Sequence, residues 1–407
     1  NFVLPPSIGA SVGSSWLEAW IGFGSSAILA PFLGIIAVVL SGKNFSDLGE
    51  RINPTLTTIL ATIIILCIGP LLAIPRTGAT LFEIGVKPVY EEASAIWTSV
   101  LYFIAVFILS LSPSKIVDVI GKYLTPLLVL ILFAFIIAGV FYSGDLSDVS
   151  VSSATAMTNS FTEGYLTMDV LASVFFAGLL IQAARNKGFV SNQDKQKIVI
   201  GAAAIAAGLM LLIYGGLIYL GAHSGIEVVN MNKSELLLNI STNLFGDFGP
   251  LLMSLSMLLA CLTTSVALTA SFAYFFARLT NNKLGYHEGV ITCTIVSVVL
   301  SISSIDEMFG YAAGVLTFIY PVVLVMVLFV LIFGKYVSSR TPYIVAVITV
   351  SVFSLISLLS DEKYNLDAFK DLRDNLPLHT LNVEWFLPSL LAFIIAAFMV
   401  PKDLKRV

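Results

Sequence analysis

Long apolar runs, broken by short polar stretches, pattern this chain from end to end. A helix needs roughly 20 apolar residues to cross a bilayer, so each long run reads as one membrane span. Span 1 is a remnant, Asn1 to about Ala10, too short to cross and interrupted by Pro5 and Pro6. An earlier half of that helix is expected ahead of Asn1, since the chain opens without Met or a basic signal region. Span 2 runs from about Ala19 to Leu40, and span 3 starts at Pro54, passes Ile65 and extends toward Gly85. Spans 4 and 5 are Ser94 to Ser112 and Lys115 to Tyr142. Span 6 lies inside Ser152 to Gly188, and span 7 is Ile198 to Gly221. An amphipathic loop helix, Lys233 to Phe245, precedes span 8, Gly249 to Arg278. Spans 9 to 12 are Glu288 to Ser303, Phe309 to Gly334, Tyr343 to Leu359 and Trp385 to Val400.

One run breaks the pattern. Phe161 to Leu180, FTEGYLTMDVLASVFFAGLL, carries Glu163, Gly164 and Asp169 inside an apolar span. A carboxylate at the centre of a membrane helix costs roughly 2.5–3.5 kcal/mol on insertion scales. One reading is a broken helix whose freed backbone groups and polar side chains line a binding site. The other is that Asp169 caps a second half-helix, accepting from the amides of Leu171 or Ala172. The two are compatible, because a cap in mid-membrane already implies a break. Phe175, Phe176 and Tyr165 offer apolar walls there, as aromatics also do in any packed bundle.

Charge sets orientation. Alternate loops collect Lys and Arg: Lys43, Arg51, Lys115, Arg185, Lys187, Lys195, Lys197, Arg278, Lys283, Lys335, Arg340, and Lys402, Lys405 and Arg406 at the end. The other loops hold only Lys87, Lys233, Lys363, Lys370 and Arg373 and are acidic, with Glu91, Glu92, Asp145, Asp148, Asp306, Glu307, Asp361 and Glu362. By the positive-inside rule the first set is cytoplasmic, which puts both termini of the full-length protein inside. The longest outer loop, Asp361 to Glu384, intersperses Leu and Phe and is expected to fold against the surface.

Five spans precede span 6 and five run from it to span 10. An odd-numbered unit places its copy upside down, so helices 1 and 6 correspond, and each is interrupted. Paired interruptions in corresponding positions point to a transporter binding site. The expected organisation is a first inverted repeat over 1–144, a second over 145–335, and two additional helices over 336–407.

Composition agrees with the pattern: of 407 residues 57% are apolar and 11% charged, with mean hydropathy +0.96, where a soluble domain carries about 25% charged residues. The chain is an all-α polytopic membrane protein. Cys67, Cys261 and Cys293 fall inside apolar runs without metal or disulfide spacing. His223, His287 and His379 sit near segment ends, and no HExxH, phosphate-binding loop or nucleophile elbow occurs. Neither an enzyme nor a nucleic-acid partner is indicated, and no obligate protein partner or cofactor is implied.

Two further stretches carry polar chemistry. In LACLTTSVAL of span 8, Ala260, Thr263 and Thr264 share one helical face. Two hydroxyls and a carbonyl suit a sodium ion; equally, Ser and Thr in membrane helices bond the carbonyl one turn back or a neighbouring helix. In IGPLLAIPRTGATLFEIGVKP of span 3, Pro75 is expected to break the helix. Arg76 and Glu83, two turns apart, are expected to pair at the outer third of the membrane, or Arg76 snorkels.

Taken together, NFVLPPSIG, Leu33 to Gly42 of span 2, GPLLAIPRTGATLFEIG, GYLTMDVLAS and LACLTTSVAL resemble the bacterial branched-chain amino acid:cation symporter family, in order and along the whole chain. The resemblance implies the five-plus-five inverted-repeat fold of sodium-coupled amino acid transporters, with twelve helices, helices 1 and 6 broken, and the first half of helix 1 ahead of this sequence. It implies secondary active import of leucine, isoleucine and valine across the bacterial inner membrane by alternating access, with sodium as coupling ion. A helix 8 pattern A-x-x-T-[ST] is similar to the family fold's sodium site and falls on Ala260, Thr263 and Thr264. The first helix of such proteins reads G-x-G-N at its unwound point, and the chain opens at that Asn, Asn1. The implied substrate site is Asn1, Phe2, Gly164, Tyr165, Thr167, Met168, Asp169 and Phe176. The alternatives are proton coupling through Asp169 or Glu83, a passive channel, which would favour one polar stripe, and a membrane enzyme, which would need a cluster of His or acidic residues at one interface.

Overall fold

A computed structural model describes residues 2–41, 53–112, 120–142, 144–147, 149, 151–189, 191–226, 231–337, 339–360 and 366–399. Asn1, and the loop charges Lys43, Arg51, Lys115, Asp148, Asp361, Glu362, Lys363, Lys402, Lys405 and Arg406, lie outside those residues. Among the described residues the chain is helical throughout, without strands.

The helices are α1 (Leu4–Val12), α2 (Trp16–Ser41), α3 (Pro54–Val86), α4 (Ala95–Ser110) and α5 (Ile120–Phe141). Span 6 is two helices, α6 (Ser153–Glu163) and α7 (Asp169–Asn186). Then come α8 (Asn192–Ala222), α9 (Lys233–Phe245), α10 (Gly249–Leu279), α11 (Tyr286–Leu300) and α12 (Ile305–Phe333). The chain ends with α13 (Thr341–Leu359), α14 (Asp367–Asp374) and α15 (Phe386–Met399). Among the described residues seven helices are long and apolar enough to cross a membrane, eight when α6 and α7 count as one bent span. With the shorter apolar helices α4, α11 and α15, and with α1, these are the twelve spans read from the sequence.

Local chemistry explains the boundaries. α1 opens on Pro5 and Pro6, whose missing amides cost nothing in a first turn. α9 begins with a capping box: Asn232 accepts from the Glu235 amide at 2.8 Å while Glu235 accepts from the Asn232 amide at 3.3 Å. The described part of the loop after α13, residues 366–384, is folded, as expected. Arg373 of α14 donates to Glu384 at 3.3 Å, Ser357 of α13 donates to the same oxygen, and Glu384 is only 2% exposed.

Span 3 corrects one expectation. The interruption is not at Pro75. A π-helical turn runs over Cys67–Leu71, with Gly69 outside helical geometry (φ −92°, ψ −123°) and Leu72 at φ −130°. α-helix resumes at Ala73, so Pro75 falls in the first turn, where no amide donor is needed, and the Arg76 amide makes a regular bond to Leu72 at 3.1 Å.

The chain forms two compact units, each drawn from several stretches. The first comprises Asn1–Gly24, Ile65–Glu163 and Gly208–Gly310. In it α10 packs against the second half of α3, α4 and α11, while α6 packs on the start of α2. α1 crosses α8 at backbone contact: a Cβ on Gly9 would stand 1.9 Å from the Ile218 carbonyl, and one on Gly221 would stand 2.0 Å from that of Pro6. Small residues allow such crossings where lipid provides no hydrophobic drive between helices. The second unit comprises Ser25–Ile64, Gly164–Ala207 and Tyr311–Val407. There α7 packs along the second half of α2, and α13 packs on α15.

Candidate functional site

The polar centre of the second unit is the interruption between α6 and α7. After Glu163 the residues Gly164–Thr167 wind as a 3-10 turn, Met168 adopts a left-handed conformation (φ 60°, ψ 11°), and α7 leaves at 46° to the preceding helix. A non-glycine residue held there costs on the order of 1–3 kcal/mol, so its surroundings must impose it. Thr167 is the local clamp: its hydroxyl donates to the Gly164 carbonyl at 2.7 Å and accepts from the Asp169 amide at 3.4 Å. The Met168 amide closes the turn on Tyr165, and the Ala172 amide makes the first regular bond of α7, to Met168, at 3.0 Å.

Asp169 is therefore not the cap residue. Met168 takes the cap position and supplies no side-chain bond, and Asp169 is the first residue of α7. Its carboxylate, half-buried, stands in the positive end of the helix macrodipole, which offsets part of the cost of an intramembrane charge.

A packed network locks the turn. α2 contains a π-helical turn at Ser25–Leu29. Such a turn displaces one carbonyl from the regular ladder, and the Ser26 carbonyl accepts from the buried Tyr320 hydroxyl at 2.7 Å. Tyr320 stacks on Tyr165 with ring centroids 3.9 Å apart and planes at 19°. A Cβ on Gly164 would stand 1.9 Å from Ser26 Oγ, so only glycine lets the turn approach α2. Ser26 and Tyr320 escaped the sequence reading. The available signals were the Ser25–Ser26 pair inside an apolar helix and the lone Tyr320 before Pro321.

Gly164, Tyr165, Thr167, Met168 and Asp169 thus form one turn. Phe176 lies seven residues beyond Asp169 on the same helical face of α7 and is half-buried. Phe2 belongs to the first unit, buried edge-on to Phe135 at 6.1 Å between centroids. Asn1 lies outside the described residues.

Ala260, Thr263 and Thr264 are in the first unit, on α10. Both hydroxyls donate to the Ala260 carbonyl, at 3.0 Å from Thr263 and 2.8 Å from Thr264, and Thr263 also reaches Leu259 at 2.9 Å. These are the bonds to the preceding turn that hydroxyls in apolar helices make. They occupy the protons and leave lone pairs on both hydroxyl oxygens. Thr264 is exposed and Thr263 half-buried. The neighbouring hydroxyls behave differently. Thr77 and Ser265 share a hydrogen bond of 2.6 Å, and the Tyr102 hydroxyl lies 3.0 and 2.8 Å from them. That knot ties α3, α4 and α10 and satisfies itself. Among the described residues no group of His, Cys, Asp or Glu could hold a metal ion.

Arg76 lies over the Phe309 ring, 5.0 Å from its centroid. The Lys233 ammonium approaches the same ring at 4.8 Å and Glu163 at 4.0 Å. A ring quadrupole attracts a cation most strongly where water is excluded.

Comparison with known proteins adds to this geometry. The family described as branched-chain amino acid transport protein matches residues 1–403. A Bacillus subtilis (strain 168) protein named branched-chain amino acid permease BraB is 32% identical over 405 residues, covering 97% of this chain and 90% of that protein. A Staphylococcus aureus (strain bovine RF122 / ET3-1) protein named as a branched-chain amino acid carrier is 30% identical, covering 100% of this chain and 95% of its own length. Among solved structures, the chain is similar to Mhp1, a nucleobase-cation-symport-1 family transporter. Its inward-facing form matches with a TM-score of 0.63 at 14% identity, over 99% of this chain and 88% of that one. Its closed form, with bromovinylhydantoin bound, matches with a TM-score of 0.59 at 14% identity, over 99% and 91%. At that identity the likeness speaks for the fold, an inverted-repeat transporter fold.

Proposed function

The chain belongs to the branched-chain amino acid transport protein family, and on that premise we propose that it imports leucine, isoleucine and valine by sodium-coupled alternating access. It is a membrane transporter by family and fold, not an enzyme. The proposed setting is the bacterial inner membrane, with both termini cytoplasmic, inverted repeats over 1–144 and 145–335, and two appended helices over 336–407.

The observation that carries the reading is the interruption of span 6. A helix that stops and restarts inside a bilayer leaves its end carbonyls and amides without partners in their own ladder. In the proposed site, Asp169 holds the substrate ammonium, the first amides of α7 hold its carboxylate, and Tyr165, Met168 and Phe176 meet the branched tail, while Asn1 and Phe2 are candidates by the family resemblance alone. Thr167 and Gly164 shape the turn. One methylene more or less in such an apolar pocket changes affinity by about 1–3 kcal/mol, so the three branched substrates are discriminated weakly.

The coupling ion is assigned to Ala260, Thr263 and Thr264. Neutral oxygens suit an ion that must be released again inside. The deciding measurement is leucine binding by purified full-length protein across a sodium titration, with counterflow in proteoliposomes beside it. Thr264→Ala removes one ligand without burying a charge. It is expected to right-shift the sodium dependence about tenfold, and apparent leucine affinity falls with it because the two bindings are linked. Thr264→Ser is expected to be mild. A sodium dependence unchanged in Thr264→Ala but abolished in Asp169→Asn would move the ion to the span 6 turn.

A further inference from the structure

The end of α12 and the start of α13 build a feature outside the proposed substrate and ion sites. Tyr336, Val337 and Ser339, between the two helices, border a cavity of about 420 Å³ with the last turns of α15. Phe333, Tyr336, Val337, Pro342, Phe393 and Ala397 line it, and the lining is almost wholly apolar. Its floor is preformed. Phe393 stacks on Phe333 at 4.7 Å and meets Phe329 and Tyr343 edge-on at 5.1 and 5.0 Å. The Tyr343 hydroxyl donates to the Val337 carbonyl at 3.0 Å and pins the turn over that floor. The rim is open: Phe398 is 85% exposed and Tyr336 75%.

Two cations adjoin the lining residues of this apolar slot in sequence. Lys335 and Arg340 are exposed and next in sequence to the lining residues Tyr336 and Ser339. Among the described residues neither forms an ion pair. Both belong to the loop set that the charge bias places at the cytoplasmic face. We propose that this cavity seats an acyl chain of an anionic phospholipid whose phosphate is held by Lys335 and Arg340. Apolar walls fit the chain, the aromatic rim lies at headgroup level, and paired cations give a phosphate charge-assisted hydrogen bonds. An anionic leaflet draws such juxtamembrane cations toward it. A zwitterionic lipid offers the same chain with less net attraction, and a second copy of this chain would have to bring acidic groups to the same turn.

Native mass spectrometry of the delipidated full chain tests this, with phosphatidylglycerol or phosphatidylcholine of equal chain length titrated into the micelle. The expected result is one phosphatidylglycerol retained at roughly tenfold lower concentration than phosphatidylcholine. The preference should vanish in Lys335→Ala/Arg340→Ala, a surface change that leaves the fold intact. Ala397→Phe, which fills the cavity, should lower retention of both lipids. Equal retention by the unaltered chain, or a preference that survives the double variant, overturns the proposal. So does a dimer abolished by Ala397→Phe, which would give the cavity to a second copy. Leucine binding by the same samples reads the transport assignment separately.

Discussion

Two spans are interrupted in different ways. In span 3 the Cys67–Leu71 turn interrupts the helix, and Gly69 in it packs against an aromatic ring. The Leu72 amide bonds back to Cys67 at 3.2 Å, and a Cβ on Gly69 would meet the Phe272 ring at 3.0 Å. In span 6 the chain stops, crosses a left-handed residue and restarts at 46°, with Thr167 and Asp169 in the turn and Tyr165 stacked on Tyr320. The first interruption is absorbed by packing. The second keeps polar groups at a depth where each would cost several kcal/mol without a partner. An interruption in a membrane helix points to a site when polar chemistry remains after the local hydrogen bonds are assigned, and to packing when none does.

The comparison can be broken from either side. The largest effect is expected at Gly164. Gly164→Val places branched carbons where Ser26 Oγ lies 1.9 Å and the Ala27 amide nitrogen 3.2 Å from a Cβ. Leucine binding should be lost and stability should fall by about 3 kcal/mol, the upper range for overpacking; intact leucine binding would mean that the turn does not form the substrate site. Next comes Tyr320→Phe, which keeps the stacking ring but leaves the Ser26 carbonyl without this donor. A buried acceptor so stranded costs about 1–3 kcal/mol. Lower thermal stability with weakened leucine binding is expected, and a variant as stable as the parent would remove Tyr320 from the clamp. The smallest effect belongs to span 3. Gly69→Ala meets the edge of one phenyl ring, which can give by tenths of an ångström, so a loss below about 1 kcal/mol is expected. Leucine binding should be unchanged, and a loss of binding as large as that of Gly164→Val would make the span 3 interruption part of the site.

Thr263 and Thr264 show how far spacing reaches. Their position on one face with Ala260 is a property of the helix. Whether the hydroxyls spend their protons on the helix itself or on a neighbour depends on what packs against them, and one residue later Ser265 does the opposite by joining Thr77 and Tyr102.

What the sequence determined alone was local. A bilayer forces every backbone group to find its partner within the segment, so apolar length and polar breaks revealed the spans, the loop helix α9 and the interruption at Gly164 to Asp169. The tertiary structure decided everything that depends on a partner distant in the chain. It put the π-helical turn of α2 at Ser25–Leu29, where the Ser26 carbonyl meets Tyr320 across 294 residues. It moved the span 3 interruption from Pro75 to Gly69, against Phe272, and gave the cap position to Met168 rather than Asp169. It set Arg76 over Phe309. A residue's propensity can be read where it stands, but which strained geometry a fold tolerates is fixed by the side chains that close around it.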